Sequence, residues 1–328
     1  MITYWSIILA VSMLLYVVLD GFDLGVGILF GYTTDAEQRK NMLGAISPVW
    51  DGNETWLIVA GVVLWGAFPA AYATLLSAFY IPVCVMLAGL IFRGVAFEFR
   101  IHAHRSRWIW NIGLSVGSLC AAFMQGAMVG ALAYGLPVVD GRFVGNNMSW
   151  LSGFSVISGV ALSFGYALSG AGWVARKCEG KTRDAALRSI PKLTAAVLLL
   201  LIGLFLYSLL SDLTVMHRWM DRPVLFVVLL VALLDILVIV ISTRRGNDAL
   251  LLKAIIALFI CAYAMFAISF WPYLIPFSVT FVQAAAPASS LSFMFWGAGL
   301  FVFPLMLVYT VITYRVFRGK VGSADEHY

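Results

Sequence analysis

Nine long apolar runs follow one another along this chain of 328 residues, and they limit what it can fold into. They cover residues 5–30, 44–68, 75–97, 108–133, 150–173, 191–210, 223–242, 250–271 and 290–314. Each is close to the roughly 20 residues that an α-helix needs to cross a bilayer. With 62% hydrophobic and 11% charged residues, the chain lies outside the range of soluble domains. The sequence therefore predicts an all-α integral membrane protein of about nine transmembrane helices, packed as helical bundles.

The basic residues fall mostly on one of the two sides that nine crossings define. Of the 21 lysines and arginines, all but Arg142, Arg218 and Arg222 share a side. This positive-inside bias predicts a periplasmic N-terminus and a cytoplasmic C-terminus. The net charge of +5 thus reflects topology and does not indicate a nucleic-acid partner. The first run lacks a basic start and a small-residue cleavage site, so we expect it to stay as a helix.

Two of the apolar runs carry acids where hydrocarbon is expected. Asp20 and Asp23 lie in the first run, and Asp51 and Glu54 lie in the second. Each pair has i,i+3 spacing, so its side chains share one helix face. If the two runs form a hairpin that turns near Glu37, all four carboxyl groups lie at about the same depth. A carboxylate near the bilayer centre costs about 2.5 kcal/mol or more, so we interpret these acids as part of an ion or proton pathway.

Several roles are open to this cation-poor cluster. Close carboxyl groups in a low dielectric cannot all be ionised, so they share protons and suit a proton relay. A monovalent cation site and hydrogen bonding purely for packing are the alternatives. If the second helix begins near Gly44, Asp51 lies about 10 Å along it, within reach of a water-filled funnel from the cytoplasm. Arg93, near Glu98, either extends to the interface or has a structural or functional role.

The first half of the chain differs from the second. Residues 1–173 carry the acids, residues 174–190 form a basic segment interpreted as a cytoplasmic linker, and residues 191–328 are plainer. We expect a single polytopic membrane domain, with no sequence repeat between the halves.

A few residues mark helices that are expected to pack closely. Gly21 and Gly25 have the G-x-x-x-G spacing that lets a neighbouring helix approach, and Gln125 is expected to hydrogen-bond across a helix interface. Asp235 stands alone in the seventh run, where packing and functional roles are both open.

The residue types present exclude several kinds of chemistry. The four histidines, His102, His104, His217 and His327, all fall outside the apolar runs. Because histidine is the most common haem ligand in membrane proteins, we do not expect this chain to hold an intramembrane haem alone. The four cysteines are scattered, so no metal site or disulfide is predicted. No phosphate-binding loop, dinucleotide fingerprint or nucleophile elbow is present.

Four segments resemble a known family. They are Asp20-Gly-Phe-Asp-Leu-Gly-Val-Gly27, Ser47-Pro-Val-Trp-Asp-Gly-Asn-Glu-Thr-Trp-Leu-Ile58, Phe92-Arg-Gly-Val-Ala-Phe-Glu-Phe-Arg100 and Tyr314-Arg-Val-Phe-Arg-Gly-Lys320. With them the whole chain resembles subunit II of the cytochrome bd-type quinol oxidases, including the cyanide-insensitive branch.

The resemblance implies a nine-helix, multi-pass protein of the bacterial inner membrane. Its partner would be a subunit I that holds two b-type haems, one d-type haem and the quinol site, so this chain would hold no haem itself. Together they would reduce oxygen to water with electrons from quinol. A small single-helix accessory subunit, lipids and quinone are further partners that the resemblance allows.

The resemblance also implies roles for particular residues. Asp51 matches the acid of a cytoplasmic proton path, with Asp23 and Asp20 lining the same region. Glu54 stands where relatives can have an amide. By analogy, a structural quinone would bind near two aromatic residues, Trp50 and Trp56.

A proton- or cation-coupled secondary transporter is the rival interpretation, and a scaffold without a relay is a third. Transporters usually show broken helices in corresponding halves, whereas the acids here are confined to one hairpin.

Overall fold

The computed structural model describes residues 1–321, which are helical almost throughout. The helices are α1 (Ile2–Tyr32), α2 (Ala36–Ile46), α3 (Trp50–Ala67), α4 (Pro69–Ala78), α5 (Tyr80–His102), α6 (Arg107–Tyr134), α7 (Gly153–Lys177), α8 (Gly180–Leu210), α9 (Thr214–Asp221), α10 (Val224–Arg245), α11 (Asp248–Phe270), α12 (Phe281–Ala284), α13 (Ala288–Met294) and α14 (Val302–Val316). A π-helical turn, Phe295–Gly299, lies between α13 and α14. Two antiparallel hairpins pair β1 (Val138–Val139) with β2 (Arg142–Phe143), and β3 (Tyr273–Ile275) with β4 (Val279–Thr280).

Eight segments are long and apolar enough to cross a membrane, namely α1, α5, α6, α7, α8, α10, α11 and Ala288–Val316. Within the described residues, helices α3 and α4 form a broken ninth segment, in which the helix axis bends by 118° between them. The prediction of about nine transmembrane helices is therefore confirmed. Residues 69–74, which the apolar runs leave between two predicted spans, belong to α4. Pro69 begins that helix, where its missing N–H costs little.

Helix α1 lies at the centre of the bundle, against α3, α6 and α7. Its contact with α7 is close: a Cβ atom added to Gly25 would lie 1.7 Å from the backbone oxygen of Tyr166, and one added to Gly170 would lie 2.4 Å from the carbonyl carbon of Gly25. Phe22 and Trp173 stack across the same contact, with ring centroids 4.1 Å apart. The close approach that the G-x-x-x-G spacing predicted is confirmed, with α7 as the neighbour.

We expect Gly25→Ala to separate α1 from α7. The new methyl group would meet backbone atoms, which no side-chain rotation can move, so overpacking of about 1 to 3 kcal/mol is expected. The yield of folded protein and its unfolding temperature, measured in detergent, should both fall. The control is Gly203→Ala in α8, where no atom lies within 4 Å of the added Cβ. Equal behaviour of the two variants would contradict the contact.

The connections between helices distinguish the two ends of the bundle. Helix α2 lies at the end where α1 finishes and α3 begins, and the Asp35 carboxylate caps it by accepting bonds from the backbone N–H groups of Glu37 and Gln38. Residues 180–190, part of the segment predicted to be a cytoplasmic linker, form the first turns of α8, which continues to Leu210. Their role as a linker stays a prediction. Which end faces the cytoplasm stays a prediction.

Candidate functional site

The two aspartates of α1 are buried inside the bundle. Asp20 and Asp23 are 0% and 1% exposed. Asp20 lies 12 residues before the end of α1 at Tyr32, which is about 18 Å along the helix axis at 1.5 Å per residue. Both carboxyl groups are therefore well inside the apolar part of the helix.

An arginine joins one of these aspartates to an acid of α3. The buried Arg93 of α5 donates from Nη1 to Asp20 Oδ1 at 2.9 Å and from Nη2 to Glu54 Oε2 at 2.7 Å. The prediction of a cation-poor cluster is therefore wrong, and Arg93 does not extend to the interface. Its two partners lie 73 and 39 positions away along the chain, so no local sequence pattern could have revealed them.

Asp23 has a different set of neighbours. The amide Nδ2 of Asn53 donates to Asp23 Oδ2 at 2.7 Å, and the hydroxyl of Tyr314 donates to Asn53 Oδ1 at 3.0 Å. Neither Asn53 nor Tyr314 was among the predicted site residues. Asp20, Asp23, Glu54 and Arg93, together with these two, are called the buried cluster below.

The phase of α3 decides which of its residues face the interior. Its buried residues are Asn53, Trp56, Ala60, Val63 and Ala67, and this spacing of three and four is the apolar face of a helix. That regular spacing is visible in the sequence and could have identified Asn53.

Helix α3 begins at Trp50 and not near Gly44, so Asp51 lies in its first turn instead of about 10 Å along it. At about 100° per residue, Asp51 points almost opposite to Asn53, and Glu54 lies between these directions. Asp51 is accordingly exposed, and the Glu54 side chain is 25% exposed. The structure thus brings three of the four predicted acids together and leaves Asp51 outside.

A cavity of about 340 Å³ lies against the outer side of the buried cluster. Asp51 and Glu54 both line it, together with Trp50 and with Leu90 and Gly94 of α5. Glu54 is therefore the acid that contacts both the cavity and Arg93.

The two tryptophans predicted to flank a quinone have unlike surroundings. Trp50 lines the cavity and lies against Phe97, with ring centroids 5.2 Å apart. Trp56 is fully buried and meets Phe303 edge-on at 5.9 Å. Only Trp50 is accessible to a molecule in the cavity.

A second polar chain lies beside the buried cluster. Gln125 of α6 donates from Nε2 to the Tyr16 hydroxyl at 2.6 Å and accepts a bond from the Tyr166 hydroxyl at 2.9 Å. The interhelical hydrogen bond predicted for Gln125 is confirmed. Tyr16 lies one turn before Asp20 on α1, so this chain continues the polar interior toward α6 and α7.

Hydrogen bonds hold residues 317–319, which follow α14, against the end of α7 near Tyr314. The ammonium group of Lys177, at the end of α7, donates to the carbonyl oxygens of Phe317 and Gly319. It also lies 5.1 Å from the ring centroid of Trp173, and that ring meets Tyr314 edge-on at 5.9 Å. Because no residue of α14 is buried, these contacts help to hold Tyr314 against Asn53.

Among residues 1–321, no histidine lies inside the bundle, where an intramembrane haem would need an axial ligand. The exposed histidines are His102 at the end of α5, His104 in the α5–α6 connection and His217 within α9. His327 lies outside the described residues. Among residues 1–321, no three His, Cys, Asp or Glu side chains are arranged to hold a metal ion. Burial raises the pKa of the Cys178 thiol to about 12, so this thiol stays protonated and a poor metal ligand at neutral pH.

Asp235 has a local partner. The Cys261 thiol donates to its Oδ2 at 3.7 Å between α10 and α11. This contact accounts for packing at Asp235, and a functional role there stays untested.

Comparison with known proteins assigns the chain to a family. The family described as cytochrome bd terminal oxidase subunit II matches residues 1–317. The chain belongs to this family. Cytochrome bd-I ubiquinol oxidase subunit 2 of Escherichia coli K12 is 27% identical over 364 aligned positions, which cover 98% of this chain and 95% of that protein. Cytochrome bd ubiquinol oxidase subunit 2 of Bacillus subtilis 168 is 31% identical over 197 positions, or 59% of this chain and 58% of that protein.

A solved structure has the same fold. The bd oxidase from Geobacillus thermodenitrificans matches with a TM-score of 0.80 at 16% identity, covering 96% of this chain and 98% of that chain. At this identity the match concerns the fold alone.

Several predictions from the sequence are thereby confirmed. The protein is a subunit of a cytochrome bd oxidase, an oxidoreductase complex that depends on haem, and subunit I is its partner. It is a multi-pass protein of the bacterial inner membrane. None of the relatives named above is a transporter. The roles of the individual site residues stay predictions.

Proposed function

We propose that this subunit delivers protons from the cytoplasmic side of the membrane to subunit I, where quinol oxidation is coupled to the reduction of oxygen to water. The buried cluster carries the proposal, because acids are retained at this depth chiefly where ions or protons move. Two b-type haems and one d-type haem are held by subunit I. The end of the bundle that carries α2 faces the cytoplasm, as the positive-inside rule predicts.

The charges of the buried cluster suit proton storage. It contains three carboxyl groups and one guanidinium, which keeps its proton at any physiological pH. Since isolated charges are costly in a low dielectric, a neutral cluster contains one carboxylate and two protonated carboxyl groups. Asp20 Oδ2 and Asp23 Oδ1 make no hydrogen bond within residues 1–321, so each can carry a proton or bond to a water. Small rearrangements can then pass protons among the three acids.

The cavity beside α3 and α5 supplies the entry. A proton that reaches Glu54 from the cavity weakens the charge-assisted bond to Arg93, because a neutral carboxyl accepts less strongly than a carboxylate. Arg93 then remains paired with Asp20 alone, and the proton is one side chain nearer the interior. Asp51, at the cavity rim, raises the local proton concentration there by its negative charge.

Subunit I covers the outer side of this cavity in our proposal. An exposed carboxylate on a transmembrane helix is costly against lipid, and Asp51 is exposed on the isolated chain. A protein neighbour removes that cost and receives the protons. A structural quinone would lie against Trp50 in the same cavity, while the burial of Trp56 leaves it no contact with such a ligand.

Replacing the rim acid tests the proposal. We expect Asp51→Asn to lower quinol-driven oxygen consumption of the purified complex by about tenfold or less, because the rim acid assists proton entry without being buried in the path. Haem content and membrane insertion should not change. The control is Glu98→Gln, which neutralises an exposed acid of α5 that makes no ion pair in the described chain. Unchanged oxygen consumption and membrane energisation in Asp51→Asn would argue against a relay that begins at this position.

A further inference from the structure

Three arginines converge at the end of the bundle that carries α2, away from the buried cluster. Arg39 lies on α2, Arg100 on the last turn of α5 and Arg107 at the start of α6. The charged groups that act most strongly on Arg100 are the other two arginines. Within residues 1–321 no carboxylate forms an ion pair with any of the three. These residues are called the arginine cluster below.

A buried aromatic ring holds two of the guanidinium groups. The Arg39 and Arg100 guanidinium carbons lie 4.9 and 5.2 Å from the centroid of the Phe30 ring, which is fully buried at the end of α1. Cation–π contacts of this kind fix a guanidinium in place without neutralising its charge. The positive charges are therefore brought together by packing, and no acid of residues 1–321 forms an ion pair with them.

Arg100 is a buried residue, yet only one of its guanidinium nitrogens makes a hydrogen bond within residues 1–321. The residue is 7% exposed, and its Nε donates to Asn111 Oδ1 at 2.7 Å. Its two terminal nitrogens have no acceptor among the described residues. Arg39 Nε is likewise buried without an acceptor. Buried donors are nearly always paired in folded proteins, so the buried Arg39 Nε indicates an acceptor that residues 1–321 do not provide. The terminal nitrogens of Arg100 are not among the fully buried unpaired atoms, so they remain accessible to the same acceptor.

The acceptor must be anionic and must present several oxygens. A phosphate group satisfies both conditions, since guanidinium forks bind its oxygens in pairs. The N-terminus of α6, which begins at Arg107, adds its positive dipole end at the same place. Basic pockets between the ends of transmembrane helices are also the usual binding places of anionic lipid headgroups.

We propose that the arginine cluster binds a phosphate group, either of an anionic phospholipid or of a free phosphate ion. The site is separate from the buried cluster and from its cavity. Binding neutralises part of the arginine cluster and thereby ties together the ends of α1, α2, α5 and α6.

The test uses the detergent-purified complex with subunit I, followed by its thermal unfolding at constant ionic strength. Phosphatidylglycerol, phosphatidylcholine and inorganic phosphate are titrated separately. We expect phosphatidylglycerol to raise the unfolding temperature of the wild type. Arg100→Gln and Arg39→Gln should each raise the concentration needed for half of that effect by about tenfold, as expected for the loss of one charge-assisted contact.

Two further variants control for fold and for charge. Arg105→Gln removes an exposed cation of the α5–α6 connection and should stay within about twofold of the wild type, because an exposed cation contributes little. Arg100→Lys keeps the charge but loses the fork, so its half-effect concentration should lie between those of the wild type and Arg100→Gln. If Arg100→Gln does not assemble, Arg39→Gln, at a partly exposed residue, decides the outcome.

The titrations also identify the source of the phosphate. A shift with phosphatidylglycerol alone identifies a lipid headgroup, whereas an equal shift with inorganic phosphate that competes with the lipid identifies a free ion, and both support the site. The proposal is overturned if neither probe shifts the wild type. It is equally overturned if Arg39→Gln and Arg100→Gln respond like Arg105→Gln.

Discussion

Replacing Arg93 by methionine is expected to destabilise the folded subunit by about 3 to 5 kcal/mol, because removing one member of a buried ion pair leaves its partners uncompensated. Asp20 and Glu54 would both lose their counter-charge, at 2.9 and 2.7 Å from the guanidinium nitrogens. The expected result is a large loss of assembled complex from the membrane. Haem absorbance of the purified oxidase and its thermal unfolding measure this loss.

A neutral version of the same triad separates folding from function. Arg93→Met combined with Asp20→Asn and Glu54→Gln removes all three charges together, and buried ion pairs replaced as a set are often tolerated. We expect this triple variant to regain assembly while oxygen consumption stays low, since its acids can no longer hold protons. A triple variant with wild-type turnover would assign the acids to packing alone. Normal assembly of Arg93→Met by itself would contradict the buried ion pair.

Much of the fold follows from local sequence properties. The length of the apolar runs predicts the spans because a bilayer demands about 20 residues per helix. The spacing of Gly21 and Gly25 predicts a close contact because it depends only on the helical repeat. Neither prediction depends on residues that are distant in the sequence. The break after Phe68 was predicted from the apolar runs, but helix α4 was not, because Pro69 begins a new helix as readily as it ends one.

The buried cluster was predictable only in part. The i,i+3 spacing of Asp20 and Asp23 was sufficient to place both on one face. Arg93 was not assigned to them because ion pairs between helices depend on tertiary packing. Its nearest acid in sequence, Glu98, is exposed and is not its partner.

The direction of Asp51 depends on the phase of α3. The i,i+3 spacing of Asp51 and Glu54 predicts that both acids share one helix face. In the structure Asn53 faces the interior. Glu54 therefore lies at the edge of the buried face, and Asp51 points almost opposite to Asn53. Asn53 lies between the two acids in the sequence and was not predicted to be a site residue, yet it makes the direct hydrogen bond to Asp23.

Asp20→Asn is expected to lower quinol-driven oxygen consumption by about 100-fold, the lower end of the range for loss of a proton-transferring group. Asparagine keeps the shape of the side chain and leaves Arg93 paired with Glu54, so the complex should assemble with its normal haem content. Only the carboxyl proton is lost. Oxygen consumption and proton uptake per turnover are the measurements.

The matched comparison is Glu54→Gln, which also leaves Arg93 with one carboxylate, that of Asp20. Because the Glu54 side chain is 25% exposed whereas that of Asp20 is fully buried, water can partly replace the proton-carrying role of Glu54, so we expect a smaller loss than for Asp20→Asn. A defect in proton delivery must grow as protons become scarce, so the ratio of wild-type to Asp20→Asn rates should widen from about pH 6 to about pH 8. A purely structural defect would lower the rate by the same factor at each pH. A constant ratio, or equal rates in the two variants, would therefore exclude Asp20 from the proton path.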